Sequence, residues 1–184
     1  HKEKKNIEEE LNKLKNINIF KIKKDKVLEK LNKFKFLESI NVKKIIPSSI
    51  SINLSKTSIL GKTFINGEEF YIGKNGEFIN HDQIFEKYTI PTVFGEFELK
   101  EFLNLYDTLN NQMLEINKIE YYYYFKNRRW DLVFSNGLTL KLPSKNKRDS
   151  IKIYKKLLDN ENLTNTKIID LRVTDQIIMT NKNE

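Results

Sequence analysis

The chain has 184 residues, enough for one sizeable core or two small domains, and its 39% hydrophobic and 11% aromatic content is ordinary for a folded chain. It has no cysteine, which excludes disulfides, thiol catalysis and cysteine-ligated zinc, and no apolar window approaches the roughly 20 residues of a membrane span. The net charge is +8, yet only four of the 33 basic residues are arginine and the lysines are scattered along the whole length, which favours a solvated surface over a nucleic-acid patch.

The first 55 residues read as helix, short strand, helix, strand, strand. In "NIEEELNKLK", Ile7, Leu11 and Leu14 recur at helical spacing, with Asn6 as the expected N-cap. "NIF" at 18–20 breaks that helix. After Asp25, Val27, Leu28, Leu31 and Phe34 form a second apolar stripe. "SINVKKII" is a strand ended by Pro47, and "SISINLS" alternates strictly through Ile50, Ile52 and Leu54. Two helices on a short sheet bury these stripes most economically.

From residue 56 the pattern is mainly strand. Asn66-Gly67 and Asn75-Gly76 mark turns around "EEFYIG" and "EFI". One helix is expected over about 98–113, with Leu99, Phe102, Leu103, Tyr106, Leu109 and Met113 on its inner face. Another is expected over 147–158, with Ile151, Tyr154, Leu157 and Leu158 inward. "KIIDLRV" and "QIIMTN" close the chain as two short strands. The fold class is therefore α+β: a small two-helix domain over 1–55, then a mainly antiparallel β domain with two helices over 56–184.

"YYYYFKNRRWDLVFSNG" raises the possibility of a stacking platform for single-stranded nucleic acid. The following hairpin decides the matter for Trp130. A two-residue Asn136-Gly137 turn would put the two apolar sets on opposite faces. A three-residue loop, Ser135-Asn136-Gly137 with a bulge at Gly137, pairs Phe134 with Leu138 and Leu132 with Leu140. Trp130, Leu132, Phe134, Leu138, Leu140 and Leu142 then share a face, and burying each contributes about 1.5–3 kcal/mol. The tyrosines alternate too: Tyr121, Tyr123 and Phe125 on one side, Tyr122 and Tyr124 on the other.

Chemical motifs fail. "GKT" at 61–63 lacks the earlier glycine of a phosphate-binding loop, since Lys56 holds that position, and strand rather than helix follows. His81 has no orienting partner, and Glu68 and Glu69 are adjacent, so on a strand their carboxylates point to opposite faces. No catalytic, cofactor or metal site is expected. What remains is binding: "IIDLRVTDQIIMTN" ends in strand-forming residues, and a terminal strand at a sheet edge offers unpaired backbone groups to another chain.

Four stretches taken in order resemble the extracytoplasmic part of the bacterial division proteins FtsQ/DivIB. "NIFKIKKDKVLEKLNKFKFLESINVKKIIPSSISINL" resembles their POTRA domain, with its first strand missing; "FYIGKNGEFI", "RRWDLVFSNGLTLKL" and "IIDLRV" resemble motifs of their β domain. The resemblance implies a non-enzymatic scaffold of the divisome. It implies a single-pass inner-membrane protein, anchored upstream of residue 1, with this part on the periplasmic or extracytoplasmic side. FtsB- and FtsL-type coiled-coil proteins would be its partners, through strand addition at the C-terminal edge, with other division membrane proteins meeting the POTRA-like domain. Carried over by position, the partner site is Arg128, Arg172, Val173, Thr174, Asp175, Gln176, Ile177, Ile178 and Met179. Val173 stands where the family has an aromatic and Gln176 where it commonly has glycine. Two other readings are a POTRA-containing component of a protein-transport or outer-membrane assembly system, and a basic nucleic-acid-binding module.

Overall fold

A computed structural model describes residues 2–15, 17–86, 88–160, 163–173 and 175–182. Two compact units divide the chain: residues 1–60 with 68–88, and residues 61–67 with 89–184. The sequence pattern changes near residue 55, but the hairpin over 68–80 lies with the first unit. There the Asn75 amide donates to the carbonyls of Lys35 (2.9 Å) and Leu37 (3.2 Å).

The first unit opens with α1 (Lys2–Asn12) and α2 (Lys24–Leu31), followed by the antiparallel pair β1 (Leu37–Ile45) and β2 (Ser49–Lys56). α1 begins before Asn6, which is therefore inside the helix rather than its cap; the i,i+4 pairs Lys4–Glu8 (3.8 Å) and Lys5–Glu9 (3.9 Å) sustain the extra turn. The expected stripes are buried in part: Leu14, Val27, Leu31 and Phe34 are buried, as is Val42 of β1, while Ile7, Leu11 and Leu28 are half-buried. The short strand expected between the helices does not form; the chain turns there, with the Lys21 N–H donating to the Asn18 carbonyl at 2.8 Å. Glu10 ties the helices together through Lys13, Lys30 and Lys33, and the hydrogen bonds from Lys13 and Lys33 hold its carboxyl down at about 2. β3 (Ile59–Ile65) carries the chain into the second unit; β4 (Glu68–Gly73) and β5 (Phe78–Asn80) complete the first as a hairpin.

The second unit is a mixed sheet with two helices on one face. Its strands are β6 (Thr92–Phe94), β7 (Ile119–Tyr124), β8 (Trp130–Phe134), β9 (Thr139–Leu142), β10 (Thr166–Asp170) and β11 (Ile178–Asn181). They lie in the order β11-β10-β9-β8-β7-β6, with the second-unit part of β3 beyond β6. Pairings β3–β6, β6–β7 and β9–β10 are parallel; β7–β8, β8–β9 and β10–β11 are antiparallel. This is the expected α+β class.

The β8–β9 hairpin has the register derived above. Leu132 sits opposite Leu140 and Trp130 opposite Leu142, while Gly137 takes φ 84° and donates to the Phe134 carbonyl at 2.9 Å. All six large side chains of the hairpin are buried. α3 (Leu99–Asn111) and α4 (Lys147–Asn160) cover that face: Phe102 meets Tyr122 and Trp130, and Tyr154 meets Phe134. Two expectations fail at the helix ends. Met113 lies past the end of α3 at φ 53° and is 84% exposed, and Leu158 on the last turns of α4 is 45% exposed. Helical spacing continues beyond the point where the sheet stops offering a surface to cover.

Candidate functional site

β11 ends the strand order of the second unit. It pairs with β10 through Thr180 opposite Ile168, Met179 opposite Ile169 and Ile178 opposite Asp170. Among the described residues no further strand pairs with its outer side. Ile177 and Ile178 are each 47% exposed, and Met179 and Val173 are exposed as well. Asp175, at φ 62°, and Gln176, whose N–H donates to the Val173 carbonyl at 3.3 Å, shape the connection from β10. Thr174 lies outside the described residues.

The two arginines named from sequence occupy the same end of the sheet but different surroundings. Arg128 closes the β7–β8 hairpin. That loop repeats the construction of the next one: Phe125 N–H donates to the Arg129 carbonyl and Arg128 N–H to the Phe125 carbonyl, as Phe134 N–H does to Leu138 and Gly137 N–H to Phe134. The position filled by Gly137 in one hairpin is filled by Arg128, at φ 62°, in the other. A side chain there costs on the order of 1 kcal/mol in backbone conformation. Its guanidinium Nε lies 3.5 Å from Glu101 of α3, on the helix-covered side, while three quarters of its side chain (75%) stays in solvent.

Glu101 is a hub. Burial, reinforced by the Glu101 carboxylate, pushes the Tyr124 phenol up to about 12, while Glu101 Oε2 is itself buried without a hydrogen-bond partner. It borders a recess of about 170 Å³ that Asn104, Thr108, Trp130 and Lys147 also line. Burial lowers the Lys147 ammonium below its ordinary value, and its Nζ donates to the Ser144 carbonyl at 2.5 Å.

Arg172 follows β10 and is engaged by Asp170. The Asp170 carboxylate accepts from the Arg172 backbone N–H (3.0 Å), from its Nε (2.8 and 2.9 Å) and from its Nη2. Burial alone would raise Asp170, but the side-chain and backbone hydrogen bonds from Arg172 outweigh it and hold the carboxyl below its usual range. Asp170 follows the buried Ile169 and so faces away from the helices. The structure therefore does not bring Arg128 and Arg172 together.

Arg129, rather than Arg128, shares that face. Its guanidinium lies 4.3 Å from the Phe125 ring centroid, and it acts electrostatically with Lys141 and Arg172 on Asp131, which burial raises. The register sets Tyr123, Asp131, Lys141 and Asp170 in one row across β7 to β10. Sequence reasoning passed over Arg129, Asp131 and Glu101. Period-two alternation from Trp130 would have placed the first two opposite the core; nothing local announces Glu101. Among the described residues no three His, Asp or Glu side chains group as metal ligands, and no helix is long and apolar enough to cross a membrane.

The second unit is thus a mixed sheet covered by helices on one face whose terminal strand, β11, pairs on one side only among the described residues. The profile of the cell division protein FtsQ/DivIB C-terminal family matches residues 64–172, from β3 to the arginine before the β11 connection. A cell division protein FtsQ of Rickettsia typhi is 29% identical over 171 residues, covering 88% of this chain and 61% of that protein. One of Agrobacterium fabrum is 23% identical over 154 residues, covering 83% and 49%. The chain thus spans less than two thirds of these relatives. Among solved structures, the major extracytoplasmic domain of the division protein DivIB from Geobacillus stearothermophilus has a TM-score of 0.38 at 12% identity, covering 59% of this chain and 99% of that one. The chain belongs to the FtsQ/DivIB family of bacterial cell-division proteins.

Proposed function

We propose that this chain is a non-enzymatic scaffold of the division complex that takes up a strand from an FtsB- or FtsL-type partner along β11. The full protein is read as anchored in the inner membrane upstream of residue 1, with this part extracytoplasmic. The observation that carries the reading is that, among the described residues, no strand pairs with the outer side of β11, with Ile177, Ile178 and Met179 exposed beside it. Strand addition takes its affinity from the backbone ladder and its specificity from flanking side chains.

Arg128 supports the same reading. It holds a position where glycine is cheapest and keeps most of its side chain in solvent, and strain retained at a surface turn points to use. A strand added outside β11 would lie four strand spacings from β8, roughly 19 Å, so Arg128 would meet a part of the partner that runs back across the end of the sheet rather than the added strand itself.

Titration of the chain with a soluble segment of its cognate FtsB-type partner tests the proposal. Of two neighbouring strand residues, one N–H faces β10 and the other faces outward. Ile178→Pro and Met179→Pro, made separately, should therefore differ: one weakens binding at least about tenfold with little change in unfolding. Arg128→Gly should weaken binding while leaving stability equal or higher by roughly 0.5–1 kcal/mol. Unchanged affinity in all three variants rules the surface out.

A further inference from the structure

We infer that one end of the first unit is a membrane-contact tip: Phe20 and Ile46 enter the surface of an anionic bilayer while the lysines around them meet its headgroups. The inference goes beyond the scaffold reading, and vesicle binding by this chain stands or falls independently of strand addition at β11.

Three observations carry it. First, two apolar points stand in solvent: Phe20 is 73% exposed and Ile46 75%, with Ile17 and Ile45 exposed as well. A single exposed apolar residue is ordinary, but a cluster at one end of a fold marks a contact surface. Second, ordered turns build the cluster. Phe20 lies on the connection between α1 and α2, and Ile46 on the turn between β1 and β2. Ile17, Ile19 and Ile22 of the connection line one recess of about 420 Å³ with Ser48, Ile50 and Ile52 of the hairpin, so the two turns are neighbours. Asn18 shapes the first: its Oδ1 accepts the Phe20 N–H at 2.9 Å and its carbonyl the Lys21 N–H at 2.8 Å. Leu14 and Ile22, on either side, are buried and anchor the connection that holds Phe20 outward. Third, the surrounding charge has one sign. Lys15, Lys21, Lys23, Lys24, Lys43 and Lys44 are exposed and form no ion pair among the described residues. Residues 11–24 and 39–56 contain no acidic side chain.

Shape and charge together select the occupant. An acidic protein surface would satisfy the lysines but leave Phe20 and Ile46 against polar groups. A bilayer takes both: protruding apolar side chains sink to the acyl boundary, while the lysine stems lie along it and their ammonium groups stay with the phosphates. Each lysine close to an anionic leaflet strengthens partition by roughly fivefold. In a membrane-anchored protein such a tip sets how the first unit stands on the bilayer.

Flotation of the chain with vesicles tests the tip. The chain should float with vesicles of phosphatidylglycerol and phosphatidylcholine in equal parts, and stay in the soluble fraction with phosphatidylcholine alone. Phe20→Ser combined with Ile46→Ser leaves the net charge unchanged and should weaken partition to the anionic vesicles at least about tenfold. Both side chains are exposed, so the thermal midpoint of this variant should match the parent's, which separates lost contact from lost fold. Lys23→Gln with Lys43→Gln should weaken partition by roughly 25-fold, whereas the charge-matched pair Lys100→Gln with Lys145→Gln in the second unit should change it little. Absence of flotation with the anionic vesicles, unchanged partition of the serine variant, or equal losses from the two lysine pairs overturns the tip. Release of the bound chain by soluble glycerol phosphate would also overturn it, by showing a headgroup site rather than bilayer contact.

Discussion

The ring of Phe102 meets that of Tyr122 edge-on, with 5.3 Å between centroids and 87° between planes, and this contact joins α3 to the middle of the sheet. Both side chains are fully buried. Phe102→Ala should cost about 3–5 kcal/mol, read as a lower denaturant midpoint. Tyr122 behaves differently at its tip. Its hydroxyl is buried without a hydrogen-bond partner, and burial pushes its ionisation up. Tyr122→Phe keeps the ring and removes the orphan hydroxyl, so stability should be equal or higher by roughly 1 kcal/mol.

Two acids in one row titrate in opposite directions. Asp131 is raised, chiefly by burial, with its Oδ1 left unpartnered; Lys141, Arg129 and Arg172 oppose the shift and Asp170 adds to it. A carboxyl with a folded value above its unfolded one destabilises at neutral pH, and that cost fades as pH falls below the folded value. Asp131→Asn should therefore raise stability at pH 7 by roughly 1 kcal/mol, a gain that vanishes below about pH 4. Asp170 is lowered by Arg172, so its contribution is complete above its unfolded value and is lost as pH falls through the folded one. Carboxyl NMR titrations of the intact chain should place Asp131 above, and Asp170 below, the ordinary aspartate value of about 3.9.

Gly95 ends β6 at φ 105°, and a Cβ there would overlap the carbonyl oxygen of Tyr124 at the end of β7. Gly95→Ala combines backbone strain with that overlap. It should cost about 2 kcal/mol, lowering Tm by roughly 4–8 °C in a thermal melt. Gly137, whose added Cβ would meet nothing, carries only the conformational part; Gly137→Ala should be the milder of the two.

The sequence by itself determined the β8–β9 hairpin, the burial of Trp130, the terminal strand and the two helices, expected over about 98–113 and 147–158 and found over 99–111 and 147–160. Each follows from alternation or helical spacing within one short segment, where a single register buries every large apolar residue. Tertiary structure decided the rest. Met113 continues the helical spacing in sequence, yet α3 ends at Asn111 and the chain turns at Met113 with φ 53°, leaving it exposed, as Leu158 is on α4. Arg128 is distinguished by Glu101, 27 positions away, and Asp131 by the strands that enclose it. Periodicity tells which way a side chain points; which charge waits there depends on segments that only folding brings close.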